Sequence, residues 1–486
     1  MGMISCQKDE VLFNPDPNAE LELPMILKIN GQQCFFSADQ NALRFSISKD
    51  SIINYEAFIE FQEYSDISFN DQELHNKVIN KLGNIFINKE YEIQVKTNGE
   101  VKKLKLTFTN LPIVQVITNS SVYNEPKTLA RFNIQYPNSE LKSFTSYIGI
   151  EYRGASSQFY DKKSYGFSFL KEPYLSSKTS KSVFAWKKNT DWILDAMYID
   201  PARLRNKTSF EIWKSFEGEN HEGINAEFVE LYINNEHHGL YCLNQNVNAE
   251  LLKLIHPEAV LYKAVEWENG ATNFETYSED ISTNYYWDGW EQKHPNPRAG
   301  INWHPLNQLR KLVVQADDEK FLAEIGEKLD INNLIDYYIF LNLVSAIDNT
   351  GKNTFLSLEN PSEPMTIIPW DIDGSWGIIY NGTEMGHTSI LKNNLYKRLL
   401  QLNENSFKSN LKDRWFYLRN NSLKESRLLS VFQNHFNDIG KSGIMQIENE
   451  KWDLEIDIQA EQVYLEEWLY KRLEFLDDYF KELSTK

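Results

Sequence analysis

Asp348-Asn349-Thr350-Gly351-Lys352-Asn353, followed by Pro369-Trp370-Asp371-Ile372-Asp373-Gly374, is the part of the sequence from which the rest can be read. Upstream, residues 331–347 carry Leu334, Ile335, Tyr338, Ile339, Leu341 and Leu343, a density of apolar side chains that predicts a buried core helix ending at Asp348. Downstream, 353–358 and 366–370 read as two short strands. A helix, a polar loop and a hairpin therefore deliver three oxygen-bearing side chains, Asp348, Asn353 and Asp371, from the ends of ordered elements.

Working outward, the second half is mainly helical. The last helix, about 461–483, sets Tyr464, Leu465, Trp468, Leu469, Leu476 and Phe480 on one stripe and is a packing element. Between the halves, 269–305 is polar and aromatic, with Tyr285, Tyr286, Trp287 and Trp290; its length suits either a lid or an excursion packed over the helices. Residues 113–245 mix strands at 113–116, 164–170 and 228–243 with a helix at about 203–216. The His237-His238 pair falls near the tip of the third segment and reads as solvated. Residues 20–110 alternate apolar and polar at Met25, Leu27 and Ile29 and again at Leu104, Leu106 and Phe108, and Asn98-Gly99 marks a two-residue hairpin turn. An immunoglobulin-like sandwich is expected there.

A chain of 486 residues exceeds one ordinary core, so more than one domain is expected. The formal charge of -19 argues against nucleic-acid or anionic-membrane binding, because the long-range field repels polyanions. Three scattered cysteines, Cys6, Cys34 and Cys242, support neither a disulfide framework nor a structural zinc site. Cys6, followed by Gln7-Lys8-Asp9-Glu10, reads as a lipoprotein cysteine with a charged tether over 1–19. That predicts a lipid anchor through Cys6 and a place at the outer membrane or cell surface; a cytosolic start with a chance cysteine is the alternative. A monomer is expected.

The order Asp, Asn five residues on, then Asp after a hairpin is the order in which protein kinases supply an oriented base and two Mg²⁺ ligands. Mg²⁺ takes hard oxygens and keeps several waters, so Asn353, Asp371 and the phosphates of ATP suffice, with Asp348 orienting the acceptor proton. Asp373 either ligates a second metal ion or caps the turn at Gly374. A nucleotide also needs positive charge. Arg153-Gly154-Ala155-Ser156-Ser157 offers small residues for close phosphate approach, and Lys162-Lys163 leads into the next strand. Lys163 fits the lysine that reaches the phosphates, with Lys162 as the second choice.

These blocks, together with Leu111-Pro112-Ile113-Val114, Asp191-Trp192, Leu204-Arg205-Asn206, Glu230-Leu231-Tyr232, Gly239-Leu240-Tyr241 and Leu261-Tyr262-Lys263, fall in the order of the CotH kinase family, and the chain resembles that family over about 111–480. The resemblance implies an α+β protein: an N-terminal β-sandwich over 20–110, then an atypical protein-kinase-like domain over 111–486 with an N-lobe to about 260 and a mostly helical C-terminal lobe. It implies ATP with Mg²⁺ or Mn²⁺ and phosphorylation of serine or threonine on a protein acceptor. It makes Asp348 and Asp371 the essential acidic pair and Lys163 the nucleotide-contacting base, and it marks Arg205 and Lys263 as family positions placed with Arg153, Ser156, Ser157 and Lys162 among the cofactor-binding residues. Glu211 is the candidate for a lysine–glutamate ion pair.

One position departs from the family pattern: Gln245 stands where an acidic residue is usual. With it, an alternative remains open, a catalytically inactive kinase-fold module that recognises a glycan or protein partner at the cell surface. A metal-dependent hydrolase built on Asp371, Asp373 and His387 is a third reading, short of the ligands a two-metal site needs.

Overall fold

A computed structural model describes residues 27–483, apart from 63–65, 98, 139, 155, 217, 219–220 and 403–406. The expected tether with Cys6, and Met25 and Asn98, lie outside the described residues. The chain divides into two compact units: one of Met1–Ala196, Phe228–Leu243 and Asp438–Leu454, the other of Met197–Glu227, Asn244–Asn437 and Glu455–Lys486.

In the first unit, two sheets face each other across a shared core. One runs Gln32–Gln33, Leu27–Ile29, Ser51–Phe61, Val78–Phe86; the other runs Phe35–Ser37, Ala42–Ser46, Glu100–Thr109, Glu90–Thr97, Asp66–Phe69, Gln72–Leu74. Ile29, Ile59 and Ile85 of the first meet Phe45, Ile93, Leu104 and Phe108 of the second. The alternation read from the sequence explains why. Leu104, Leu106 and Phe108 turn inward, while Lys103 and Lys105 on the opposite face pair with Glu92 at 3.1 Å and Glu90 at 2.8 Å across the hairpin. Thr97 lies opposite Glu100, which leaves a two-residue turn in which Gly99 takes φ of 85°.

The same unit holds a closed barrel of seven strands, in spatial order Ile113–Ile117, Thr128–Gln135, Phe144–Arg153, Ser164–Leu170, Asp191–Asp195, Glu236–Gln245 and Ala226–Ile233. Ile113–Ile117 closes it by pairing parallel with Ala226–Ile233. Its interior is aromatic: Phe132 stacks on Phe167 at 5.3 Å, and Phe169 meets both edge-on.

The histidine pair is not a solvated tip. The strand begins at Glu236, so His237 already points inward; it is fully buried, stacked on Tyr232 with ring centroids 4.4 Å apart and 3.3 Å from Glu230. Glu230 is gripped from the other side by Arg44, at 2.6 and 2.7 Å. Burial alone would push this carboxyl up, but Arg44 and His237 together hold it at about 2.

In the second unit the core helix spans Ile331–Val344, capped by the Asp330 side chain on the Asn333 amide. It stops before the predicted end because Ser345 adopts the left-handed conformation, and Asp348 opens a separate 3₁₀ turn, Asp348–Thr350. A five-stranded sheet follows the order Tyr286–Trp287, Trp290–His294, Val260–Ala264, Thr354–Leu358, Thr366–Pro369. The long aromatic connection thus contributes two strands. Trp287 and Trp290 are buried and Arg310 stacks 4.3 Å from the Trp287 ring, while Tyr285 stays exposed. The last helix, Ile458–Glu482, buries Leu465, Trp468, Leu469, Leu476 and Phe480 as its stripe predicts.

Candidate functional site

The loop between the core helix and the strand Thr354–Leu358 is organised by one side chain, Asn349. It is almost fully buried, and its Nδ2 donates to the carbonyls of Asn353 and Trp370, each at 2.8 Å. Its own carbonyl accepts the Tyr337 hydroxyl at 2.8 Å, and the Trp370 amide donates to the Asn353 carbonyl at 3.0 Å. Asn353 and Asp371 are therefore drawn to the same end of the paired strands Thr354–Leu358 and Thr366–Pro369. Both sit in the left-handed region, φ 55° and 54°. That conformation costs a non-glycine residue roughly 1–2 kcal/mol, and asparagine and aspartate tolerate it best. The second residue is steadied from the other side, where the Asn206 Oδ1 accepts the Ile372 amide at 3.1 Å.

Asp348 stands at the head of the same loop, with the Lys352 ammonium 2.9 Å from its Oδ2. Asp373 caps its own turn by accepting the Gly374 amide at 2.9 Å. Lys263, on the strand beside Thr354–Leu358, holds its ammonium 5.9 Å from the ring centres of both Phe355 and Trp370. Arg205 is fully buried: it pairs with Asp200, lies 3.5 Å from Glu461 and donates to the Trp376 carbonyl. It braces the start of helix Arg205–Lys214, which carries Asn206.

The donor set at this strand end is an amide oxygen and carboxylates, all hard oxygens. Among the described residues, no group of three or more His, Cys, Asp and Glu side chains could hold a metal ion. A Mg²⁺ ion that keeps its waters and shares phosphate oxygens needs no such cage, so Asn353 and Asp371 fit it.

The basic segment belongs to the first unit. Gly154 takes φ of 93°, which only glycine adopts readily, and the Ser157 hydroxyl donates to the Arg153 carbonyl at 3.0 Å. Ser156 opens the 3₁₀ turn Ser156–Phe159. Lys163 donates to the carbonyls of Gln158, at 2.8 Å, and Tyr160, so its ammonium laces the loop together. Lys162 is wholly buried, ion-paired with Glu448 at 2.5 Å, bonded to the Leu240 carbonyl and set over the Tyr241 ring. Glu211, by contrast, is half exposed and faces His435 at 3.0 Å. The buried lysine–glutamate pair is thus Lys162 with Glu448.

Gln245 is buried and its Oε1 accepts two N–H groups of Asn225, at 3.0 and 2.8 Å. An acceptor is what this position requires, and an amide supplies it without burying a charge. Asn349, Asn206 and Glu448 carry no spacing signal of their own. Only the Asn-Thr-Gly composition of the loop marks Asn349, as a turn former.

A family model described as CotH kinase protein matches residues 150–476. The chain is 23% identical over 239 residues to the inner spore coat protein H of Bacillus subtilis (strain 168), covering 49% of this chain and 61% of that protein. It spans less than two thirds of that relative's length. A solved structure, the Helicobacter pylori proinflammatory kinase CtkA, matches with a TM-score of 0.31 and 11% identity over 63% of this chain and 94% of that one, a likeness too loose to carry weight.

Proposed function

Since the chain belongs to the CotH kinase protein family, we propose that it is an ATP-dependent phosphotransferase that transfers the γ-phosphoryl group to serine or threonine of a protein acceptor. The observation that carries this reading is the placement of Asn353 and Asp371 at the same end of one strand pair, where the Asn349 amide grips the Asn353 and Trp370 carbonyls, with Asp348 at the head of the loop. Asn353 and Asp371 would hold Mg²⁺ or Mn²⁺, which when bound offsets the phosphate charge during transfer. Asp348 orients the acceptor hydroxyl and takes its proton, with the Lys352 ammonium 2.9 Å from its Oδ2. Lys263, Arg153, Ser156, Ser157 and Lys163 are assigned to nucleotide contact, whereas Lys162, the second choice for it, is wholly buried against Glu448 and is assigned to holding the segment in place. Arg205 acts through Asn206, as a brace for the Asp371 turn. Asp373 caps its own turn, and it would be the ligand if a second ion were held.

The N-terminal pair of sheets is read as an immunoglobulin-like module that recruits or positions the acceptor. A surface location with lipid attachment at Cys6, and a monomeric state, complete the proposal. Incubating the purified chain with ATP and Mg²⁺, then mapping added phosphate by mass spectrometry, tests it. Phosphoserine or phosphothreonine on the chain or on a Ser/Thr-rich acceptor is expected, absent in Asp371→Ala. Binding of a glycan or protein partner with no phosphate gained would favour the inactive module.

A further inference from the structure

The geometry points to Asn349 as a positioning residue that sets the separation and orientation of the two metal-ligand candidates, Asn353 and Asp371; the inference rests on the nucleotide–metal reading above.

The Asn349 side chain never needs to touch the ion. A primary amide has two hydrogens on one nitrogen, and here each is spent on a different carbonyl, those of Asn353 and Trp370. The Trp370 carbonyl belongs to the peptide unit that ends at the Asp371 nitrogen, so holding it anchors the plane from which φ of Asp371 is turned. The Asn353 carbonyl lies on the far side of that residue's Cα, so holding it anchors the plane to which ψ of Asn353 is turned. One amide thus anchors one adjoining peptide plane at each residue, both of which are left-handed. The Tyr337 hydroxyl, donating to the Asn349 carbonyl, ties this clamp to the buried core helix. Aspartate at 349 has the same size and no hydrogens to give, and it would set a carboxylate against two carbonyl oxygens. Serine gives one hydrogen. Glutamine keeps both on a longer arm.

Mn²⁺ titration of the full chain with ATP, followed by electron paramagnetic resonance of free Mn²⁺, reads the consequence without relying on turnover. Asn349→Asp is expected to weaken Mn²⁺ binding in the presence of ATP at least tenfold, Asn349→Ser to fall between it and the parent, and Asn349→Gln to recover part of the loss. The melting temperature measured without ligands serves as the control for folding. Should Asn349→Asp fail to fold, Asn349→Ser carries the test. Variants that fold and bind Mn²⁺ with ATP as the parent does would overturn the positioning role while leaving the nucleotide–metal reading intact. A parent chain that shows no ATP-dependent Mn²⁺ binding would overturn that reading and this inference with it.

Discussion

Lys162 and Glu448, 286 positions apart in sequence, form an ion pair with both side chains fully buried. The second Glu448 oxygen accepts the Leu240 amide at 3.0 Å, and Lys162 also donates to the Leu240 carbonyl. One charge pair thereby locks three segments of the first unit: the turn before strand Ser164–Leu170, strand Glu236–Gln245 at Gly239-Leu240, and helix Ile444–Trp452.

Removing one partner of such a pair strands the other charge in a dry interior. Glu448→Ala is therefore expected to lower stability by about 3–5 kcal/mol, and Glu448→Gln by less, because the amide oxygen still accepts hydrogen bonds. Urea denaturation checks this; a Glu448→Ala loss within about 1 kcal/mol would contradict the assignment.

Gly239 depends on the same carboxylate. It takes φ of 85°, and a Cβ there would collide with the Glu448 Oε2. Gly239→Ala should cost about 1–3 kcal/mol from backbone strain and the clash together. Combined with Glu448→Ala the loss should be smaller than the sum, since the second change removes the obstacle. Strict additivity in the double-mutant cycle would show that the two sites do not communicate.

Buried His237 and its half-buried neighbour His238 make acid the weak side of the first unit. Burial lowers His237, and burial with Lys451 nearby takes His238 down to about 3, so each binds its proton less readily in the folded chain than at its ordinary value of 6.5. The unfolded chain then binds more protons, and stability falls as pH drops below about 6.5, by up to about 1.4 kcal/mol per unit for each histidine. Glu230 adds a further loss as pH falls from about 4.5 toward 2. Chemical denaturation between pH 8 and pH 4 should show the decline, with a shallower slope in His238→Asn. A flat profile would mean that these rings are protonated in the fold.

The sequence and the structure agree where local periodicity dictates burial and part where distant segments decide it. The stripe of the final helix, the inward Leu104, Leu106 and Phe108, and the apolar run of the core helix are all set by neighbours a few residues away, and each packs as its pattern implies. His237 looked like a loop residue because only its contact with Glu230, itself gripped by Arg44 186 positions away, shows where it points. Glu211 had the expected helix but not the partner: His435 is nearer to it than any lysine. The Asp348, Asn353 and Asp371 spacing was legible because it lies within one helix–loop–hairpin, whereas Asn349 is told apart from any other turn asparagine only by the two carbonyls it grips.

The most direct test is a set of melting curves on the full chain with ATP alone, Mg²⁺ alone and both. A ligand that binds only the folded state raises the midpoint, so a rise is predicted with ATP and Mg²⁺ together, much smaller with either alone, and abolished in Asp371→Ala. An equal rise in Asp371→Ala, or no rise in the parent chain, would contradict a divalent ion held at Asn353 and Asp371.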